Sequence, residues 1–233
     1  MTPAVTIWLA RASALFAVSA IVTGALSADH VPGLSATHEA LGIAALLLAF
    51  PLLRHRMARV LILPAILLEL LPVFPIQPTS MAVVVLHAWG APLLVGTVVA
   101  FSFPFEPMAT PISATLRNII VWSPPLILLQ VVLGAAYRHK AIGVIWHIAG
   151  AMSVAGLVVI ACVLLLRQIP SERAPRLAAG WLNGILVTQV TLGMSTLLLR
   201  MLDMEAAHVA AAHIANGSFT FAGSLVLLRA TQR

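Results

Sequence analysis

Eight stretches of this 233-residue chain are apolar over roughly twenty residues each, the length of a membrane-spanning helix. They fall at about 7–27, 35–53, 59–76, 80–103, 118–138, 142–166, 178–200 and 206–228. In lipid the backbone must satisfy its own hydrogen bonds, so such segments are helices. Eight of them use about 160 residues and leave about 70 for short connections, with no room for a soluble domain. The expected fold class is an all-α integral membrane protein with eight transmembrane helices. Only 9% of residues are charged, against about 25% in a soluble domain. That excludes an ordinary soluble globule, a disordered chain and a nucleic-acid-binding module, and makes membrane lipids the constant partner. Leu26-Ser27-Ala28 resembles a signal cleavage site. The first segment is nevertheless read as a span, because the repeat below needs it.

Basic residues orient the helices. Arg11, Arg54, Arg56, Arg59, Arg117, Arg167, Arg173, Arg176, Arg229 and Arg233 fall on one side and account for ten of the 13 Lys and Arg. Only Arg138, Lys140 and Arg200 fall on the other. The positive-inside rule predicts that both termini are cytoplasmic and that the chain lies in the cytoplasmic (inner) membrane. The net charge of +6 follows from this bias and does not indicate a nucleic-acid partner. The lone Cys162 lies in an apolar run and is read as core packing.

Each even-numbered helix carries one His shortly after its outer end: His38, His87, His147 and His213. Gly42, Gly90, Gly150 and Gly217 follow three or four residues later, on the same helix face. There a small residue lets a planar ligand or a neighbouring helix come close. The odd helices repeat as well. Gln130-Val-Val-Leu-Gly134 precedes His147, and Gln189-Val-Thr-Leu-Gly193 precedes His213. Helix 3 has Glu69 before His87. Helix 1 has Gly24, but Ala20 where Gln would fall. The unit is a helical hairpin with His on its second arm. Two hairpins make a half, and two pseudo-symmetric halves make the protein: 1–108 and 109–233, each a four-helix bundle, running parallel.

Ionisable groups in lipid are costly and usually functional. Two facing His in a four-helix bundle can fill both axial positions of a heme iron. The expected pairs are His38 with His87 and His147 with His213, one to two turns inside the outer boundary. Proton relay and purely structural hydrogen bonding are the alternatives. Arg138, Lys140 and Arg200 at the outer interface could meet heme propionates or simply snorkel. Glu69, among leucines, could orient a ligand His or join two helices. His30, His55, His139 and His208 are read as solvated, with His208 the substitute if His213 is not a ligand.

These residues resemble the heme A synthase family of cytochrome oxidase assembly proteins. The carriers are Gln130 to Gly134 followed by Arg138-His139 and His147, then Gln189 to Gly193 followed by His213. The match covers all eight helices in layout and is clearest from about 120 to 228. The resemblance implies that His147 and His213 bind heme b; Gln130, Gln189, Arg138 and Arg200 are the further candidate cofactor-binding residues. It implies that His38 and His87 line a substrate site where heme o is oxidised to heme A. The membrane quinol pool is the implied electron source.

The chain departs from that family in its first half. Ser35 stands where the family has a Glu, three residues before the first His. Glu39 follows His38 about 100° around the helix, so Glu39 and Glu69 are only weak catalytic candidates. The Arg that follows the family's first His is absent, as is the outer-loop Cys pair, and the loop around Asp29-His30-Val31-Pro32-Gly33 is short. Two main readings stand: an oxidoreductase resembling heme A synthase, or a b-type heme electron-transfer protein, alone or in a larger redox complex. A proton-coupled transporter is the third.

Overall fold

The computed structural model describes residues 3–28, 33–70, 81–105, 108 and 110–232. Among these, the regular elements are all helices. They are α1 (Pro3–Ala28), α2 (Ser35–Ala49), α3 (Arg56–Leu70), α4 (Met81–Phe101), α5 (Ala114–Arg138), α6 (Val144–Gln168), α7 (Arg173–Met201) and α8 (Ala207–Ala230). Seven of them are long and apolar enough to cross a membrane, which makes this a multi-pass membrane protein. The other is α3, whose described part ends at Leu70. The rest of the expected 59–76 span lies outside the described residues, as do His30 and most of the first outer loop.

Local chemistry sets several helix ends. Pro51 has no N–H to continue α2, and the chain tightens there into a 3-10 turn over Phe50–Arg54. Ser113 caps α5, its side chain accepting from the Leu116 N–H at 3.3 Å. Beyond α5 and α7 the chain reverses through Lys140 (φ 61°) and Asp203 (φ 53°), both in the left-handed region. Each reversal is closed by a backbone bond, Ala141 to Ala136 at 2.8 Å and Met204 to Leu199 at 2.9 Å.

Consecutive helices pair as hairpins: α1 with α2, α3 with α4, α5 with α6, and α7 with α8. α4 packs on α8, and each of these also packs on α1 and α5. Half of the apolar stretch of α4 and of α8 is buried, against 11% of α7. The first two therefore form the middle of the molecule and α7 its rim. Gly96 lets α8 come close to α4, because a Cβ there would run into the ring of Phe221, which is fully buried. Cys162 is buried, as expected. Trp8, Leu15, Leu47, Trp122, Trp146 and Trp181 are exposed, a surface suited to lipid rather than water.

A chain of contacts gathers most of the basic loops on one face. Arg54 donates to Thr6, the His55 and Phe101 rings lie 5.3 Å apart, and Arg229 sits over Phe101. Met108 N–H donates to the Gln232 carbonyl at 3.0 Å. Thr110 donates from both N–H and hydroxyl to Glu172, and Ser113 N–H donates to Gln168. The start of α1, the ends of α2, α4, α6 and α8, and the start of α5 thus share one end of the bundle. The four His lie toward the other.

Candidate metal centre

The structure brings the four histidines together in two pairs. The ring centroids of His38 and His87 are 6.2 Å apart with the rings at 90°. Those of His147 and His213 are 6.3 Å apart at 88°. Two imidazoles bound on opposite sides of one metal at about 2.0–2.1 Å each place their centroids about 6.3 Å apart. Both pairs have that spacing.

The ring nitrogens are sorted by the helices in front of them. His38 Nδ1 lies 2.7 Å from the Ala20 carbonyl oxygen, His87 Nδ1 3.2 Å from that of Leu68, and His213 Nδ1 3.1 Å from that of Gln189. A carbonyl can only accept, so Nδ1 carries the hydrogen in all three. The lone pair is then on Nε2, the nitrogen a metal would use; in His213 it also faces the Gln189 amide nitrogen at 3.4 Å.

His147 differs. The Gln130 amide nitrogen lies 2.8 Å from both its Nδ1 and its carbonyl oxygen. Among the described residues Gln130 Oε1 is buried without a hydrogen-bond partner. As placed, the amide donates to both, so Nδ1 accepts and the ring hydrogen sits on Nε2; a reversed amide would free Nε2 only by setting its oxygen against the His147 carbonyl oxygen.

Glycines make these approaches possible, and their role is more specific than closeness to a planar ligand. A Cβ on Gly24 would lie 2.7 Å from the His38 ring, on Gly134 3.0 Å from His147, and on Gly193 2.8 Å from His213. Each of these glycines stands four residues after Ala20, Gln130 or Gln189, one turn along the odd helix. The glycines of the even helices receive the polar residue of the odd helix instead. Gly90 faces Glu69, Gly150 faces Gln130 and Gly217 faces Gln189. Opposite Gly42 nothing lies within 4 Å, in keeping with the short Ala20 at the corresponding place.

Seventeen residues separate Gln130 from His147 and twenty-four separate Gln189 from His213. α7 runs one turn further past its Gln than α5 does, and α8 starts about one turn earlier before its His than α6 does. The connecting segments 139–143 and 202–206 are equally long. Both spacings therefore put a His opposite a Gln.

Other expected residues are distributed as follows. Glu69 Oε2 is 3.7 Å from His87 Nδ1, too far for a hydrogen bond, and its Oε1 is buried without a hydrogen-bond partner among the described residues. Glu39 and Ser35 are exposed on α2, and Arg200 is exposed at the end of α7. Arg138 donates to the Ala25 carbonyl at 2.8 Å, tying α5 to α1. His208 is exposed and paired with Glu205 at 3.1 Å. His55 is exposed beside Phe101, and His139 is half-buried rather than solvated.

Three further contacts were not legible as site features. Asn216 donates to Gln189 Oε1 at 2.8 Å and to the Ile185 carbonyl at 3.0 Å. Tyr137 stacks on His147 at 6.1 Å. Trp89 donates its indole N–H to the Leu128 carbonyl at 2.9 Å, linking α4 to α5. Asn216 alone had a sequence signal: the extra residue between His213 and Gly217.

The donor chemistry fits a metal that arrives with most of its ligands. Among the described residues no group of three His, Cys, Asp or Glu could hold a metal ion. A bare ion needs more than two donors, whereas a porphyrin iron needs only the axial two. No family model matches the chain, and no curated protein matches it either.

Proposed function

We propose that this chain is a heme protein of the cytoplasmic membrane, holding iron between His147 and His213 and between His38 and His87. The observation that carries the reading is the pair of centroid separations, 6.2 and 6.3 Å, each spanning two hairpins. The protein's own contribution is orientation. Backbone carbonyls of α1, α3 and α7 hold Nδ1–H of His38, His87 and His213 and leave Nε2 as the nitrogen that would ligate. A heme held by these imidazole pairs would supply one-electron transfer. Electron transfer is therefore the function this geometry supports best. A b-type heme, and a quinol or a larger redox complex as partner, go with it.

Oxidation of heme o to heme A is the second reading. It is favoured by the Gln130–Gly134 and Gln189–Gly193 motifs and by the buried Glu69 carboxyl beside His87. On that reading His147 and His213 hold the resident heme b, and His38 and His87 the substrate. For both readings we place eight spans in two four-helix halves, with termini in the cytoplasm, on the bias of basic residues.

A pyridine-hemochrome spectrum of the purified full chain tests the reading. Heme b is expected. Absence of heme would overturn both versions, and heme A formed on supplying heme o would select the second. His147→Ala and His213→Ala should each abolish the low-spin absorption of their pair. Unchanged spectra in both would show that the ligands are wrong.

A further inference from the structure

At the basic end of the bundle, away from the histidine pairs, lies a pocket of about 260 Å³ lined by His55, Arg56, Phe101, Arg229 and Gln232. Its cationic wall is fixed. The Arg229 guanidinium lies 4.4 Å from the Phe101 ring centre and 5.6 Å from that of Phe105. It donates to the Ala100 and Phe103 carbonyls. Arg54 stands beside His55, its Nε donating to the His55 ring at 3.3 Å. Burial, then the charges of Arg54 and Arg229, hold the His55 imidazole below its ordinary pKa.

Among the described residues, no carboxylate lines the pocket. Glu172 is committed to Thr110, Glu69 and Glu205 lie with the histidine end, and Glu106 is outside the described residues. Directly below, a narrow crevice shares Phe101 and Arg229 with the pocket. It runs between α3, α4 and α8 along Leu61, Thr97, Leu225 and Leu228. The crevice holds only about 20 Å³, but Val60, Leu63 and Leu67 lie on the Arg56 face of α3 and are exposed, and a cationic chamber beside an apolar helix face matches an amphiphile. Basic pockets between spanning helices on the cytoplasmic side take anionic lipid headgroups.

We propose that this pocket binds the phosphate of an anionic phospholipid, with Arg229 and Arg56 on the phosphate and an acyl chain lying along the exposed α3 face of Val60, Leu63 and Leu67. The site does not depend on heme. Free phosphate shares the headgroup chemistry but would use only the upper chamber.

Thermal unfolding of the full chain in neutral detergent tests this, with phosphatidylglycerol, phosphatidylcholine or inorganic phosphate added. Phosphatidylglycerol alone should raise the Tm. Its apparent affinity should fall about fivefold in Arg56→Gln, the change expected from one surface Arg, and further in Arg229→Gln. Because Arg229 also braces α4, Arg56→Gln is the decisive variant. Arg173→Gln, exposed on the same face outside the pocket, should leave the affinity unchanged. An equal shift with inorganic phosphate would reassign the pocket to a free anion and overturn the lipid assignment. Equal shifts with phosphatidylcholine, or equal losses in Arg56→Gln and Arg173→Gln, would overturn the site.

Discussion

The His38 imidazole donates its Nδ1 hydrogen to the Ala20 carbonyl oxygen, 2.7 Å away across the α1–α2 hairpin. Ala20 contributes no side-chain chemistry to this bond; its backbone does. The ring can reach that backbone because Gly24, one turn further along α1, has no Cβ. The same arrangement recurs with Gln189, Gly193 and His213. It makes the glycines of the odd helices as important to ligand orientation as the polar residues beside them.

Gly193→Ala is therefore expected to displace His213 from the Gln189 carbonyl. Inserting a methyl into a filled contact costs about 1–3 kcal/mol, and low-spin heme at that pair should fall sharply. Gly42→Ala is the control. Nothing lies within 4 Å of a Cβ there, so heme content should be unchanged and helix stability slightly raised, by about 0.5–1 kcal/mol. Heme per protein in the two variants, with thermal unfolding of each, checks the pair of outcomes. Equal heme loss in both would sink the steric account.

Gln130 and Gln189 occupy the same place in the repeat but are expected to respond differently. His147 is held by the Gln130 side chain at 2.8 Å; His213 is held by the Gln189 carbonyl at 3.1 Å, with the Gln189 side-chain nitrogen more distant, 3.4 Å from its Nε2. Gln130→Ala should shift the midpoint potential of the heme and broaden its spectrum. Gln189→Ala should leave ligation intact and cost about 1–3 kcal/mol, because Asn216 loses a buried acceptor. Redox titration beside thermal unfolding separates the two, and matching behaviour would show that the side chains play one role.

Glu69→Gln distinguishes an electron carrier from an oxidising enzyme. Leu68, not Glu69, is within hydrogen-bond reach of His87, so the low-spin spectrum should survive the substitution. If the protein makes heme A from heme o, that activity should drop while heme binding persists. Loss of heme binding itself would mean that Glu69 orients the ligand after all.

His55 supplies a pH dependence at the opposite end. Burial and the nearby Arg54 and Arg229 lower its pKa in the folded chain. The folded state then binds fewer protons than the unfolded state, so this contribution to stability is present above about pH 6.5 and fades as pH falls below it. The residue is exposed, so the effect is small. The drop in Tm between pH 7.5 and 5 should be slightly shallower in His55→Gln than in the parent. A steeper drop would reverse the sign.

The helices were legible because lipid imposes a simple rule on sequence: about twenty apolar residues and no open backbone. All eight segments overlap helices to within a few residues at the described ends. The spacing of His38, His87, His147 and His213 likewise announced a repeated polar position at one depth. In the structure the rings of His38 and His87 lie 6.2 Å apart and those of His147 and His213 6.3 Å apart.

What the sequence could not state is which atoms meet. Ala20 and Leu68 look inert as letters, yet their carbonyls hold two of the four imidazoles, the first uncovered by Gly24. Spacings of 17 and 24 residues became equivalent only because one turn was added to each arm of the last hairpin. The Arg229 pocket joins residues 55 and 229, which meet only once α4 and α8 pack against each other. A one-dimensional pattern determines where helices begin, how deep a residue sits and which way loops are charged. Contacts between helices depend on their rotation and mutual approach, and those were decided by the tertiary packing around Gly24, Gly96, Gly134 and Gly193.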